Sequence, residues 1–310
     1  MKLIFFGSSS FSIPILETLH KSKHTVQVVI STPPVKKGRG LKVLPSAVET
    51  WARERQISVL TPANLKAPEF LNQIAELGPD CLIVASYGKM LPRELLAVAK
   101  KLPFNIHPSL LPKYRGAAPI ARQILDGEKE TGVTIAKITS QLDAGEIIKQ
   151  EKMIVEDNDN AEILEEKLAS LGSRLILEVL NSVSEEKIKL IPQDESKASY
   201  AHKLDKNMGQ INWTKSANEI LQQIRGLNPW PSAYTFFQNK RIKILDAQQS
   251  KSPSKEFPGT IVSIDAKEGI RVQTGSGLIH IKLLKTDSGN TITAQEFQNG
   301  YHVKSGDRFS

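Results

Sequence analysis

Pro103-Phe104-Asn105-Ile106-His107-Pro108-Ser109-Leu110-Leu111-Pro112-Lys113-Tyr114-Arg115-Gly116-Ala117-Ala118-Pro119-Ile120 decides how the rest of the chain is read. Phe104 and Ile106 alternate with polar residues as at the end of a strand. Asn105 and His107 therefore share the opposite face. Pro108 and Pro112 forbid a regular helix or ladder and force an irregular loop. Gly116-Ala117-Ala118 allows a close backbone passage, and Pro119 suits the first turn of a helix to about Leu125. A strand that stops, presents an amide and an imidazole and feeds a stiff loop is how open α/β sheets build sites at strand carboxyl ends.

Around this stretch the first half alternates strand and helix signals. Residues 2–6, 25–30, 81–85, 102–106 and 132–138 read as strands, rich in β-branched and aliphatic side chains. Helices are expected from Ser10 or Ser12 to about His20, over 45–56 with Pro45 near the start, and over 69–77, closed by Gly78-Pro79. Strands separated by helices imply βαβ units and a parallel sheet covered on both faces. Gly7-Ser8-Ser9-Ser10 lacks G-x-G-x-x-G, and no acidic residue ends the second strand, so dinucleotide binding is not expected. Residues 160–180 carry an apolar stripe at helical spacing, which is core packing.

With 310 residues the chain suits two domains. The boundaries are placed at 1–182 and 207–310, with a polar linker over 183–206. Beyond the corner Asn228-Pro229-Trp230-Pro231, short strand signals at 233–237, 241–245, 260–264, 270–274 and 278–284 fit a small OB-like β-barrel. No apolar run approaches the ~20 residues of a membrane span. Residues 2–7 form a buried strand and not a secretory signal, so the expected location is cytoplasmic. Cys81 is the single cysteine, which excludes an internal disulfide and a thiolate metal cluster. In its apolar strand it reads as a small core residue.

The net charge is +8 and is uneven. Residues 206–310 carry 14 Lys and Arg against 8 Asp and Glu, and the remainder is close to balance. A basic C-terminal third fits a polyanionic partner, or equally a surface tuned for solubility. Residues 33–43 form a second basic feature. Lys36, Lys37, Arg39 and Lys42 have no acid among them, in a loop long enough to be functional. It reads as a cationic finger for a phosphate backbone or as a solvated loop.

Asn105-Ile106-His107-Pro108-Ser109-Leu110-Leu111-Pro112 resembles the N-x-H-x-S-L-L-P signature of the 10-formyltetrahydrofolate-dependent formyltransferases. With Lys113 to Ile120 added, the resemblance is to their tRNA-directed branch, and it runs along nearly the whole chain. It implies a Rossmann-like α/β formyltransferase domain followed by an OB-like, tRNA-binding barrel. It also implies formyl transfer from 10-formyltetrahydrofolate to methionine on initiator tRNA. The Leu142-Asp143-Ala144-Gly145 turn then supplies a catalytic aspartate, beside Asn105 and His107. The folate is expected along Ser109, Leu110, Leu111 and Pro112 and along Tyr87, Gly88, Met90 and Leu91. The finger, whose Gly38-Arg39-Gly40 matches the branch, is expected to touch the tRNA acceptor end through Lys36, Lys37, Arg39 and Lys42. No metal is implied, and a monomer is expected.

Those residue types suit acyl transfer. An amine attacking a formyl carbon gives a tetrahedral oxyanion that needs a positioned donor, and two nitrogens exchange protons. Asn105 can donate to the oxyanion, His107 can relay a proton near neutrality, and Asp143 can orient the imidazole. Ser109 attack with His107 as base is the covalent alternative, although Ser109 lacks a G-x-S-x-G turn. Three other outcomes stay open. They are formyl transfer to a nucleotide sugar, hydrolysis of the folate, and a nucleic-acid-binding protein with a decayed catalytic domain.

Overall fold

The computed structural model describes residues 1–37, 42–250, 255–265, 268–286 and 289–310. Contacts divide the chain into two compact units. The first holds Met1–Pro119, Glu130–Ile154 and Glu165–Ala201; the second holds Ile120–Lys129, Val155–Leu164 and His202–Ser310.

In the first unit, β1 (Lys2–Gly7) is buried from Leu3 onward. It leads through α1 (Ser12–His20) to β2 (Thr25–Ile30), which pairs parallel with it. A small antiparallel pair follows, β3 (Val35–Lys37) and β4 (Lys42–Leu44). Helix α2 (Ala47–Glu54) starts after Ser46, whose hydroxyl accepts the Glu49 N–H. This cap sets the start two residues after Pro45, because it satisfies a donor that proline cannot. Next come β5 (Val59–Leu60), α3 (Pro68–Leu77), β6 (Cys81–Ala85), α4 (Arg93–Leu96) and β7 (Pro103–His107). Gly78 ends α3 at φ 56, the left-handed conformation glycine adopts without strain. The chain continues through β8 (Arg115–Gly116), α5 (Pro119–Leu125), β9 (Glu130–Lys137), β10 (Ile147–Ile154), α6 (Ala161–Ser184) and β11 (Tyr200–Ala201).

The main sheet has seven strands in the order β10-β9-β7-β6-β1-β2-β5. The five strands from β7 to β5 are mutually parallel, as the βαβ reading requires. The last two depart from it. Strand β9 runs antiparallel to β7, and β10 is antiparallel to β9. The expected parallel sheet is present over five strands and is extended at one edge by two antiparallel ones. Residues 120–129, which include most of α5, cluster with the second unit and supply no crossover helix. Strand β10 was not foreseen; only its inner face is partly covered, so it shows no apolar run. Ile4, Phe6, Val28, Ile30 and Leu82 of the sheet pack with Phe70, Ile74 and Leu95 from α3 and α4. Each such burial contributes about 1.5–3 kcal/mol.

Residues 183–206 are pinned along much of their length. Ile191 and Ile147 exchange both backbone hydrogen bonds, at 2.8 and 2.9 Å. Strand β11 pairs parallel with β8. Helix α6 also runs past the expected end at 180, to Ser184.

In the second unit, α7 (Ala217–Gly226) opens with a reciprocal Ser216–Glu219 capping box. Strands β12 (Ala233–Phe237), β13 (Lys240–Ser250), β14 (Ile261–Asp265), β15 (Gly269–Gln273) and β16 (Leu278–Lys285) form an antiparallel sheet in the order β12-β13-β16-β15-β14. Strand β17 (Thr291–Thr293) pairs with β16, and α8 (Ala294–Tyr301) follows. The chain end links the two edges. Ser310 exchanges hydrogen bonds with Phe236 at the β12 edge, at 2.8 and 3.0 Å. Asp307 and Phe309 bond to Ile261 and Gly259 at the β14 edge, at 2.8 and 2.9 Å. Closure of this kind protects edges that would otherwise pair with other chains. Inside, Trp213, Phe237, Phe297 and Phe309 pack among isoleucines, with Trp213 stacked on Phe309 at 5.6 Å.

Among the described residues, no helix is long and apolar enough to cross a membrane, and no group of three His, Cys, Asp or Glu is placed to hold a metal.

Candidate active site

Three of the singled-out side chains meet. Asn105 and His107 lie two apart on β7, and Asp143 comes from the loop between β9 and β10. The Asn105 amide donates to Asp143 Oδ1 at 2.9 Å, and its nitrogen carries a second hydrogen. The Gly116 N–H donates to Asp143 Oδ2 at 2.8 Å. The same oxygen lies 3.7 Å from His107 Nδ1, beyond hydrogen-bond length but within ion-pair reach. His107 Nε2 is 2.8 Å from the Tyr114 carbonyl. A carbonyl only accepts, so Nε2 carries the hydrogen and Nδ1 is the nitrogen free to gain or lose a proton. Both side chains are nearly enclosed, His107 at 5% and Asp143 at 10% exposed, which strengthens their mutual field.

Asp143 sits at φ 50, a left-handed conformation uncommon outside glycine that Asp tolerates. Its surroundings impose it. Gly145 passes so close to Lys137 that an added Cβ would lie 1.7 Å from the Lys137 carbonyl oxygen. The Gln193 amide donates to the carbonyls of Asp143 and Gly145, at 2.8 and 2.6 Å. Gln193 Oε1 in turn accepts from Arg115 at 3.1 and 2.7 Å. The buried Arg115 also makes a two-pronged pair with Glu195, at 2.9 and 2.7 Å. The Glu195 carboxylate holds the guanidinium above its ordinary pKa. The sequence reading assigned no role to Arg115, Gln193 or Glu195. Arg115 stood inside the quoted stretch as a visible signal. Gln193 had none, because it lies in a polar segment far along the chain from Asp143.

The expected folate residues divide. Met90 and Leu91 line a cleft of about 550 Å³ with Leu65, Lys66, Pro92 and Arg93. Gly88, two residues before Met90, has φ 82 and is not part of that lining. Tyr87 instead packs inward, edge-on to Phe6 at 5.4 Å, and burial pushes its phenol up to about 12. The loop at 109–112 is tied down from β9 and β10. Thr134 donates to the Ser109 carbonyl at 2.7 Å and accepts the Leu111 N–H at 3.1 Å, and Gln150 donates to the Leu111 carbonyl at 2.9 Å. Leu110 lies against Gly132, and the Pro112 carbonyl accepts the Ser199 N–H at 3.3 Å. Ser109 is fully buried, and its hydroxyl donates to the Lys113 carbonyl at 2.7 Å. A hydroxyl committed in this way is poorly placed as a nucleophile, which disfavours the covalent alternative.

Of the expected finger, Lys36, Lys37 and Lys42 lie on the short strands β3 and β4. Arg39, with Gly38 and Gly40, lies outside the described residues.

Residues 1–180 match the Formyl transferase family, and residues 203–302 match the family's C-terminal domain. The chain is 40% identical over 310 residues to a methionyl-tRNA formyltransferase of Sulfurihydrogenibium sp. (strain YO3AOP1), covering all of both chains. It is 42% identical over 312 residues to one of Dictyoglomus thermophilum, again over all of both. Among solved structures it is similar to HypX from Aquifex aeolicus in complex with tetrahydrofolic acid. That likeness has a TM-score of 0.65 and 16% identity, and covers 100% of this chain and 50% of the other. It speaks to the fold alone.

Proposed function

The chain belongs to the formyl transferase family, and we propose that it carries the formyl group of 10-formyltetrahydrofolate to the amino group of methionine on initiator methionyl-tRNA. The observation that carries the chemistry is the meeting of Asn105 and His107 on the Asp143 carboxylate. The amine attacks the formyl carbon directly, and the tetrahedral species collapses by breaking the bond from that carbon to N10 of the folate, so the amine loses a proton and N10 gains one. The second hydrogen of the Asn105 amide is offered to the oxyanion, a contact that stabilises only the tetrahedral species. His107 passes a proton through Nδ1, since Nε2 is held by Tyr114. Asp143 fixes the Asn105 amide by accepting from it and sets its other carboxylate oxygen beside His107 Nδ1.

Substrate placement extends this reading. The folate lies along Ser109, Leu110, Leu111 and Pro112 and along Tyr87, Gly88, Met90 and Leu91. Met90 and Leu91 offer apolar surface in the cleft, while Tyr87 contributes as a packed wall. Lys36, Lys37, Arg39 and Lys42 bind the acceptor end of the tRNA. Residues 1–182 are the catalytic domain, 183–206 the connector, and 207–310 the tRNA-binding domain, working as a cytoplasmic monomer. The C-terminal match and the full-length relatives favour a tRNA over a nucleotide sugar as acceptor.

The test offers 10-formyltetrahydrofolate together with methionyl-tRNA or with an amino sugar nucleotide, and reads the acceptor by mass. Formylated methionyl-tRNA is expected. Formylated sugar, or free formate alone, would replace the reading with one of its rivals.

A further inference from the structure

The polar segment after α6 reaches back to the loop that carries Asp143 and touches it at three points. Ile191 is paired with Ile147 on both backbone hydrogen bonds. The Gln193 amide donates to the carbonyls of Asp143 and of Gly145. The first of those carbonyls belongs to Asp143 itself, which is held at positive φ. Gln193 is in turn oriented by Arg115, which grips Gln193 Oε1 with two N–H groups and Glu195 with two more. Arg115 precedes Gly116, whose N–H donates to the Asp143 carboxylate. A single buried guanidinium thus sits behind two of the supports of the aspartate. One is the N–H at its side chain, and the other is the amide at its backbone.

We propose that Gln193 is a positioning residue for Asp143, held in place by Arg115 and Glu195, and that residues 191–195 are a working part of the active site. The match to the family's first domain ends at residue 180, so the strap lies beyond it. A left-handed Asp is strained and persists only where its surroundings over-determine it. Two hydrogen bonds from one amide to the carbonyls on either side of Ala144 provide such a constraint. A carboxylate displaced by even about 1 Å would cost transfer rate by up to about 100-fold. It would leave substrate binding little changed, because Gln193 touches neither substrate in this scheme.

The proposal rests on the formyl-transfer reading, and two full-length variants test it. Gln193→Ala removes every bond of the side chain. Gln193→Glu keeps the acceptor that Arg115 grips but replaces the donor with a second acceptor facing two carbonyls. Hydrogen exchange of residues 140–147 reads the strap with no substrate present. Faster exchange is expected in both variants, including at the Ile147 N–H. In kinetics with methionyl-tRNA, kcat is expected to fall 10- to 100-fold in both, with KM for each substrate within about threefold of wild type. If Gln193→Glu kept wild-type exchange and kcat, Gln193 would serve only as a partner for Arg115 and the proposal would be wrong. Unchanged exchange in both variants would also overturn it. A wild-type enzyme inactive on methionyl-tRNA would refute the functional reading, while the exchange result would still decide the strap.

Discussion

At the scale of single residues, each member of the Asn105, His107 and Asp143 group has a bond that no neighbour replaces. Asn105→Ala, His107→Ala and Asp143→Ala are each expected to lower kcat by about 100-fold or more, from the sizes of oxyanion and acid–base contributions. Folding should survive, since none of the three is an apolar core residue. Steady-state kinetics with thermal melts reads both. Cys81 gives a second prediction. Burial pushes its thiol from 9.0 up to about 11, and the thiolate is the reactive form. The native protein should resist alkylation near neutral pH and react once unfolded. Its raised folded-state pKa stabilises the fold below pH 9, where both states keep the proton. That contribution is lost as pH rises from about 9 towards 11, where the unfolded thiol ionises first. A native protein labelled as fast as the unfolded one would remove Cys81 from the core. Asp143 was marked only through the family resemblance of its turn, while Asn105 and His107 were legible because an amide, an imidazole and a hydroxyl crowd five positions beside two prolines. Gln193 was not, because its partners are backbone carbonyls, and no sequence pattern records which carbonyls a side chain will meet.

At the scale of elements, the legible parts were those with a period. Four of the five parallel strands announced themselves through aliphatic runs, whereas β5, only two residues long, offered no run to read. Strands β9 and β10 broke the pattern because orientation depends on where the intervening chain packs, and α5 goes with the other unit. The closure of the second sheet was equally hidden, because residues 307–310 are too few to read as a strand. That closure is testable. Phe309 is fully buried against Trp213, Phe237 and Phe297. Phe309→Ala should destabilise the second unit by about 3–5 kcal/mol, the usual cost of truncating a buried aromatic. Denaturant unfolding followed by Trp213 fluorescence measures it. A midpoint within error of wild type would mean that the chain end is ornamental to the barrel.

At the scale of the whole molecule, the excess of positive charge in the C-terminal third sets the expectation for its partner. If phosphates are bound there, log K for tRNA should fall by about 0.7–0.9 per log unit of salt for each phosphate neutralised. Folate affinity should be nearly insensitive to salt by comparison. Arg39→Ala should lower kcat/KM for charged tRNA and leave folate binding unchanged, as removal of a positioning contact would. Equilibrium binding at two salt concentrations tests the first part, and salt-independent tRNA binding would argue for an uncharged acceptor. The claim on which the rest depends is that one site, built on β7 and the Asp143 loop, formylates methionyl-tRNA. Its most direct measurement is single-turnover transfer from 10-formyltetrahydrofolate to methionyl-tRNA, comparing wild type with folded His107→Ala and reading the aminoacyl group by mass. Rapid formylation by wild type and a rate lower by about 100-fold in the variant is the predicted result. Equal rates in the two proteins would contradict the account.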